Sequence, residues 1–359
     1  MTRRLLWASL DDERANREFH WLSLMPDTRV TVAGGPPPSG DVDWIERSYR
    51  RPVKRFKEAV ALAWMKDMRS VPANFDWIAS LELCSMITAQ ASKWARDNGV
   101  RQCVVIWAND PELIFYRLPP YRQALDKARR ADLFLNFVRS GYDHCLALGL
   151  PEERCAWVLP GVDTALFHPA AAPQVDPVIT FASGLWPKKG LSLVLDAFDL
   201  VRATVPEARL QIVGSGPDQS VAQAAQERTG GAVRWLGPMR PDQIAAVLRD
   251  SAVFTTAPWA QRRWNEQYGL AYLEAMASGL PVVTTISGTN HEAVGPPNIR
   301  VPHDAEALAE GLVRFLTNEG LRGDVGRLNR MTVVRDHDML TQSARMAAVF
   351  RTSELQPRR

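Results

Sequence analysis

Glu266 and Glu274 stand eight positions apart with Gly269 between them, in the run Trp264-Asn265-Glu266-Gln267-Tyr268-Gly269-Leu270-Ala271-Tyr272-Leu273-Glu274. A carboxylate only accepts hydrogen bonds, so such a pair suits the vicinal hydroxyls of a sugar or a ribose. Leu270, Leu273 and Ala277 recur at helical spacing and predict a helix from Leu270 to Ser278. Backbone N–H groups near Tyr268, Gly269 and Leu270 fall at its start, the positive end of the helix dipole, where phosphate is favoured. Together these residues suit an anionic ligand that carries hydroxyls, as a sugar nucleotide does. The same residue types also fit a plain structural role, with Glu274 favouring the helix dipole and Glu266 a solvated loop charge.

The elements that must position this stretch are strands and helices in alternation. Gly279 can end the helix in a left-handed turn, Pro281 prevents its continuation, and Val282 and Val283 begin a buried strand. Upstream, strands are predicted at Val178–Ser183, Arg209–Val213, Val233–Leu236 and Val253–Thr256. Helices are predicted at Leu191–Ala203, Val221–Glu227, Pro241–Arg249 and, further on, Ala305–Thr317. Such alternation implies an α/β domain with a parallel sheet covered on both faces.

The first half follows the same grammar less clearly. Strands are predicted at Leu5–Leu10, Arg29–Ala33, Phe75–Leu81, Cys103–Trp107, Leu133–Val138 and Ala156–Leu159. Helices are predicted around Phe19–Leu24, Ile87–Ala95, Tyr121–Arg130 and Gly141–Leu148. No G-x-G-x-x-G turn follows the first strand, which disfavours a dinucleotide redox cofactor. In an open α/β sheet, ligands gather beyond the carboxyl ends of strands, so Asn109, Asp110 and Glu112 are expected near the cleft; an ordinary strand-to-loop turn would use the same residue types. Arg47, Arg50, Arg51, Lys54, Arg55 and Lys57 make segment 47–57 strongly basic. It could hold an anionic acceptor or rest peripherally on acidic lipid headgroups, and a solvated surface helix has the same composition.

Bulk properties limit the alternatives. A chain of 359 residues, 46% hydrophobic and 23% charged, is expected to form two soluble domains, and a net charge of +3 gives no reason to expect nucleic acid as a partner. Cys84, Cys103, Cys145 and Cys155 form no C-x-x-C pair, which favours reduced thiols and a cytoplasmic setting. The opening apolar run ends at Asp11, Asp12 and Glu13, too soon for a signal peptide, and no stretch approaches the length of a membrane span. Any membrane contact is therefore expected to be peripheral, on the inner face. The expected domains are 1–168 and 178–335, joined by an Ala- and Pro-rich linker at 169–177, and 333–351 has the spacing of a helix.

Several ordered stretches give the sequence its resemblance to a known family. They are Val158-Leu159-Pro160-Gly161-Val162-Asp163 with Phe167 and Pro169, Lys189-Gly190, Ile212-Val213-Gly214-Ser215-Gly216-Pro217, Trp235-Leu236-Gly237, the E-x7-E spacing of Glu266 and Glu274, Ala277–Val283, and Gly288–Glu292. In this order they resemble the retaining glycosyltransferases of the two-Rossmann-domain (GT-B) architecture, and family 4 in particular. The resemblance implies two Rossmann-like domains whose parallel sheets face across a cleft. Its N-terminal domain takes the acceptor, its C-terminal domain takes the nucleotide sugar, and its tail, here 336–359, crosses back to the first domain.

The resemblance also implies roles. Glu266 would hold the transferring sugar and Glu274 the ribose, while Lys189 and the N–H groups near Tyr268, Gly269 and Leu270 would meet the charge that builds on the leaving phosphate. Gly214 and Leu236 would lie beside the nucleotide. It further implies retention of anomeric configuration, turnover without a metal or other cofactor, and a nucleotide sugar as substrate, with the acceptor unidentified. No Asp-x-Asp motif stands beside a phosphate site. Two departures matter. Trp107, Asn109 and Asp110, the candidates on the acceptor side, stand where many members of the family carry a His-containing turn. Ser183-Gly184-Leu185-Trp186-Pro187-Lys188-Lys189-Gly190 has Gly184 where the family pattern has Arg, so Lys188, Arg262 or Arg263 is expected to supply the missing charge. The alternatives are a weakly active or inactive sugar-nucleotide-binding relative that serves as a partner protein, and an epimerase or phosphorylase of the same architecture.

Overall fold

The computed structural model describes residues 2–8, 20–34, 43–50, 62–107, 118–171, 176–260 and 264–356. The chain divides into two compact units, one made of Met1–Gly161 with Met339–Arg359 and the other of Val162–Asp338.

In chain order the first unit carries β1 (Arg3–Ala8), β2 (Thr28–Gly34), β3 (Asp43–Glu46), β4 (Tyr49–Arg50), β5 (Trp64–Met65), β6 (Trp77–Leu81), α1 (Met86–Asn98), β7 (Arg101–Ile106), α2 (Tyr121–Ala128), β8 (Leu133–Asn136), α3 (Arg139–Ala147) and β9 (Cys155–Trp157). Seven of these strands form a parallel sheet in the order β3-β2-β1-β6-β7-β8-β9, and β4 pairs antiparallel with β5. Leu5 to Ala8 and Cys103 to Ile106 are wholly buried, as strands covered on both faces must be. Helix α1 starts where the Ser85 side chain accepts from the Ile87 N–H at 3.2 Å, and ends at Gly99 with φ of 64°. Its Ile87, Ala91, Trp94 and Ala95 form one stripe, packed on Leu6 and Ile78.

The second unit carries β10 (Val178–Ala182), α4 (Leu191–Thr204), β11 (Arg209–Val213), α5 (Gln219–Arg228), β12 (Val233–Gly237), α6 (Pro241–Arg249), β13 (Val253–Thr256), α7 (Leu270–Ala277), β14 (Val282–Thr285), β15 (Ile299–Val301), α8 (Ala305–Leu316) and α9 (Glu319–Asp336). Its six strands are parallel, in the order β12-β11-β10-β13-β14-β15. Chain order therefore reverses between β10 and β13, and the carboxyl ends of those two strands are where such a sheet opens a crevice for a ligand. Phe181, Phe198, Ile212 and Phe315 are among the residues that fill its core, each worth about 1.5 to 3 kcal/mol of apolar burial.

Helix α10 (Met339–Glu354) closes the chain and packs in the first unit. Phe350 meets the Trp77 ring edge-on at 4.9 Å. Glu354 accepts from Arg3 at 2.6 and 3.1 Å and from the Trp77 indole at 2.9 Å, while Arg101 donates to the carbonyls of Ser353, Glu354 and Gln356. The Arg3 hydrogen bonds, more than any other contact, hold the Glu354 carboxyl below the usual carboxylate range.

The observed elements differ from the expected ones in four places. The helix expected over 333–351 is two helices broken at His337 and Asp338, because Val162 donates to the His337 carbonyl at 2.8 Å and Thr164 donates to the Asp338 carboxylate at 2.6 Å. The division between units falls after Gly161 and not at 168. Phe167 is buried in the second unit, and Arg330 binds the carbonyls of Thr164, Phe167 and Ala277, so this stretch belongs to the fold of that unit. Residues 49 and 50 of the basic segment are extended and paired with β5, not helical, while residues 51–57 lie outside the described ones. Strands β3 and β15, of four and three residues, and helix α9 carry too little period to stand out in the sequence.

All four cysteines are free thiols, and burial pushes Cys84 up to about 12. No helix among the described residues is long and apolar enough to cross a membrane.

Candidate functional site

The second unit brings the predicted residues together at the carboxyl ends of β10 and β13. After β10 the chain makes a single 3₁₀ turn, Pro187–Lys189, and Gly190 at φ of 73° starts α4. A β-carbon at Gly190 would lie 1.8 Å from the carbonyl oxygen of Ala257, so only glycine permits this approach. Ala257 and Trp259, just past β13, donate to the carbonyls of Lys189 and Lys188, both at 3.3 Å. The lysine turn is thereby docked along the extension of β13.

That docking delivers Lys189 to Glu266. The ammonium donates to Glu266 Oε2 at 2.6 Å, with the lysine side chain 22% and the glutamate 9% exposed. Lys188 Nζ lies 4.6 Å and Lys189 Nζ 5.1 Å from the centre of the Trp264 ring, both within cation–π range. The Glu266 backbone is fixed from below: its N–H donates to Ser287 Oγ at 3.3 Å and its carbonyl accepts from the Thr289 N–H at 3.0 Å. Trp264, Ser287 and Thr289 are the parts of the site that sequence reasoning missed. The visible signal was Gly288, where a β-carbon would come within 2.3 Å of the Glu266 carbonyl.

Gly269, at φ of 84°, precedes α7, whose first residue is Leu270. A β-carbon there would meet the Tyr272 ring at 2.3 Å. Glu274 sits in the second turn of α7 and is 8% exposed. The helix is held by Tyr272, whose hydroxyl bridges Thr256 and Thr284 at 2.8 and 2.9 Å, tying α7 to β13 and β14. Burial, reinforced by the nearby Glu266 charge, raises the Tyr272 hydroxyl pKa, so it stays a neutral strut. Tyr268 turns inward: its ring is buried and its hydroxyl lies 3.4 Å from both the Glu292 carbonyl and His337 Nε2. Of Tyr268, only the backbone suits a ligand role.

The loops after β10 and β11 are zipped together. Ser183 donates to the Val213 carbonyl and Leu185 to that of Ser215, at 3.1 and 2.9 Å, and a β-carbon at Gly214 would collide with the Ser183 carbonyl at 1.9 Å. Gly214 in turn donates to the Gly237 carbonyl at 2.9 Å, next to Leu236, and accepts from the Trp235 indole at 3.0 Å. Gly184 is exposed, and a β-carbon there would stand 3.0 Å from the Trp186 ring.

Arg262 and Arg263 lie outside the described residues, as do Asn109, Asp110 and Glu112. Trp107 lies in the first unit, where its ring packs 4.9 Å from Phe137 and 6.0 Å from Trp21 and is 8% exposed. Among the described residues no group of three His, Cys, Asp or Glu side chains is placed to hold a metal.

Two lysines on one turn, two buried carboxylates and a helix start at the switch point of a parallel sheet suit an anion bearing hydroxyls. The architecture is that of the GT-B glycosyltransferases, similar to family 4. Residues 176–318, less than half of the chain, match the model of the family Glycosyl transferases group 1, and the match lies within the second unit. HepE of Anabaena, solved in complex with UDP, superposes with a TM-score of 0.76 at 15% identity over 98% of this chain and 100% of that one. A glycosyltransferase from Rickettsia africae gives 0.74 at 14% identity over 99% and 100%. Among sequence relatives, the GDP-mannose-dependent monoacylated alpha-(1-6)-phosphatidylinositol monomannoside mannosyltransferase of Corynebacterium glutamicum is 30% identical over 48% of this chain and 50% of its own length. The putative colanic acid biosynthesis glycosyltransferase WcaL of Salmonella typhimurium is 27% identical over 67% and 61%. The chain thus spans about half to three fifths of these two curated relatives.

Proposed function

We propose that the protein is a retaining glycosyltransferase that moves a sugar from a nucleotide-sugar donor to an acceptor without a divalent metal. The observation that carries this reading is the 2.6 Å pair between Lys189 and Glu266 at the switch point of the second sheet. In the free protein the carboxylate neutralises the cation. With donor bound, Glu266 accepts from hydroxyls of the sugar and Lys189 turns to the diphosphate, so each group exchanges one partner for another without becoming exposed and unpaired. As the sugar–phosphate bond breaks, Lys189, Lys188 and the start of α7 meet the charge on the leaving diphosphate, the part a divalent ion would otherwise take. Glu274 accepts from the ribose hydroxyls. The acceptor is assigned to the first unit, with segment 47–57 as the candidate for an anionic acceptor or acidic lipid headgroups. Support for a nucleotide-sugar donor also comes from HepE, solved with UDP-glucose, and from the GDP-mannose-dependent relative.

A thermal-shift screen against UDP, GDP, ADP and dTDP sugars tests the donor assignment. One nucleotide is expected to raise the melting temperature, since a ligand at a hundred times its Kd adds about 2.7 kcal/mol to the native state. A protein that melts cooperatively and responds to none of them refutes it. Slow release of nucleotide from the selected donor, with no acceptor present, should persist in chelator. Its loss in chelator and recovery with magnesium or manganese would refute the metal-free mechanism.

A further inference from the structure

The two lysines sit at successive positions of one 3₁₀ turn, where side chains point away from each other and like charges separate. Here both ammoniums lie at the same half-buried indole, at 4.6 and 5.1 Å from its centre, and Lys189 is also paired with Glu266. The electron-rich face of an indole attracts a cation without neutralising it and accepts no proton, unlike a carboxylate. A lysine stem otherwise wanders through many rotamers, and that freedom is lost on binding. A ring that gathers both stems beforehand removes most of this loss.

With the donor reading above taken as given, we propose that Trp264 is the positioning residue that holds Lys188 and Lys189 convergent on the donor diphosphate, and that Lys188 thereby serves as its second cation. Gly184 provides no side chain to that end of the site, and a β-carbon there would already lie 3.0 Å from the Trp186 ring. Lys188, at the other end of the same turn, offers a second positive group there. Trp264 is assigned no contact with the reacting atoms. It acts through the lysines, and its removal should weaken binding of the diphosphate and not of the nucleoside.

The test compares Trp264→Leu, which keeps apolar bulk and loses the ring electrons, with Trp264→Phe, which keeps a ring. The probes are UDP, UMP and uridine, or the same series with the base that the donor screen selects. In Trp264→Leu the affinity for the diphosphate is expected to fall about tenfold and that for the nucleoside to stay the same, with Trp264→Phe recovering most of the loss. Lys188→Met should lose a similar factor, and adding it to Trp264→Leu should change little more. A folded Trp264→Leu that retains diphosphate affinity within about twofold overturns the proposal, as would an equal loss for all three probes. Should the leucine variant fail to fold, the wild type carrying ¹³C-labelled lysine provides the second arm. Two lysine ε-methylene signals should be displaced upfield by the indole ring, and finding none overturns the geometry itself. A wild type that binds no nucleotide at all, yet shows the two displaced signals, contradicts the donor reading instead.

Discussion

Replacing Lys189 by Met should destabilise the protein through Glu266, and the size of the effect follows from the exposure of the two side chains. Removing one partner of a buried pair costs about 3 to 5 kcal/mol, because a charge is left behind without water. Glu266 is 9% exposed but Lys189 is 22%, so water reaches part of the pair and about 2 to 3 kcal/mol is expected for Lys189→Met. Glu266→Gln strands a lysine that can swing outward and should cost about 1 kcal/mol. The double variant leaves no charge behind and should be more stable than the sum of the single losses by about 1 to 2 kcal/mol. Urea unfolding of the four proteins at neutral pH measures this directly, with unchanged m-values showing that the unfolded states are comparable. Donor turnover follows a different rule: in the proposed reaction both residues act on the donor, so it should fall in all three variants and not recover in the double. A stability coupling below about 0.5 kcal/mol, or a double variant that regains turnover, would refute the exchange of partners on which the reaction scheme rests.

Two further outcomes follow from the geometry. Gly190→Ala must place a methyl group 1.8 Å from a backbone oxygen at φ of 73°, and should cost about 2 to 4 kcal/mol and weaken nucleotide binding. Gly230→Ala, at φ of 59° with nothing within 4 Å, should cost only about 1 kcal/mol and leave binding untouched, as calorimetry and nucleotide titration of the pair would show. The Glu354 carboxyl is held low in the folded state, so its contribution is complete above the unfolded glutamate range and is lost as pH falls through the folded value. Glu354→Gln should therefore reduce stability by about 1 kcal/mol at pH 7, a figure already lowered for the 37% exposure of the carboxylate, and the difference from wild type should shrink in acid. A gap that stays constant from pH 7 to pH 3 would contradict the assigned contact.

The alternation of apolar runs with helical periods was readable because each long element repeats its own signal several times. Helix α4 buries Leu191, Val194, Leu195, Phe198 and Val201, one continuous stripe, and its bounds fall within a residue of those expected. Helix α9 gave no such signal. Along it Val325, Gly326, Asn329 and Val333 are buried while Leu328, Met331 and Val334 are exposed, so the apolar residues do not mark its inner face. The break at His337 comes from a hydrogen bond to Val162, a partner more than 170 positions away, which no local pattern encodes. For the same reason the expected linker was misplaced. Its Ala and Pro content signals an irregular backbone, but Arg330 from α9 makes the preceding stretch part of the second unit.

The candidate site divides along the same line. Spacing alone brought out Glu266, Gly269 and Glu274, because the helix start and the turn before it are local. What spacing could not give is which group neutralises which. Glu266 is paired across 77 positions with Lys189, and the two meet only because Gly190 lets the lysine turn lie against Ala257 at the end of β13. Glycine at 190 thus does for the site what the carboxylates could not do alone: it sets the distance between the cation and the acceptors. Trp264 then decides where the neighbouring cation points. A carboxylate in its place would pair with one lysine and add a negative charge beside the diphosphate, whereas an aromatic face attracts both ammoniums and adds none. The chemistry of this site therefore resides as much in a glycine and an indole as in the two acids that first mark it out.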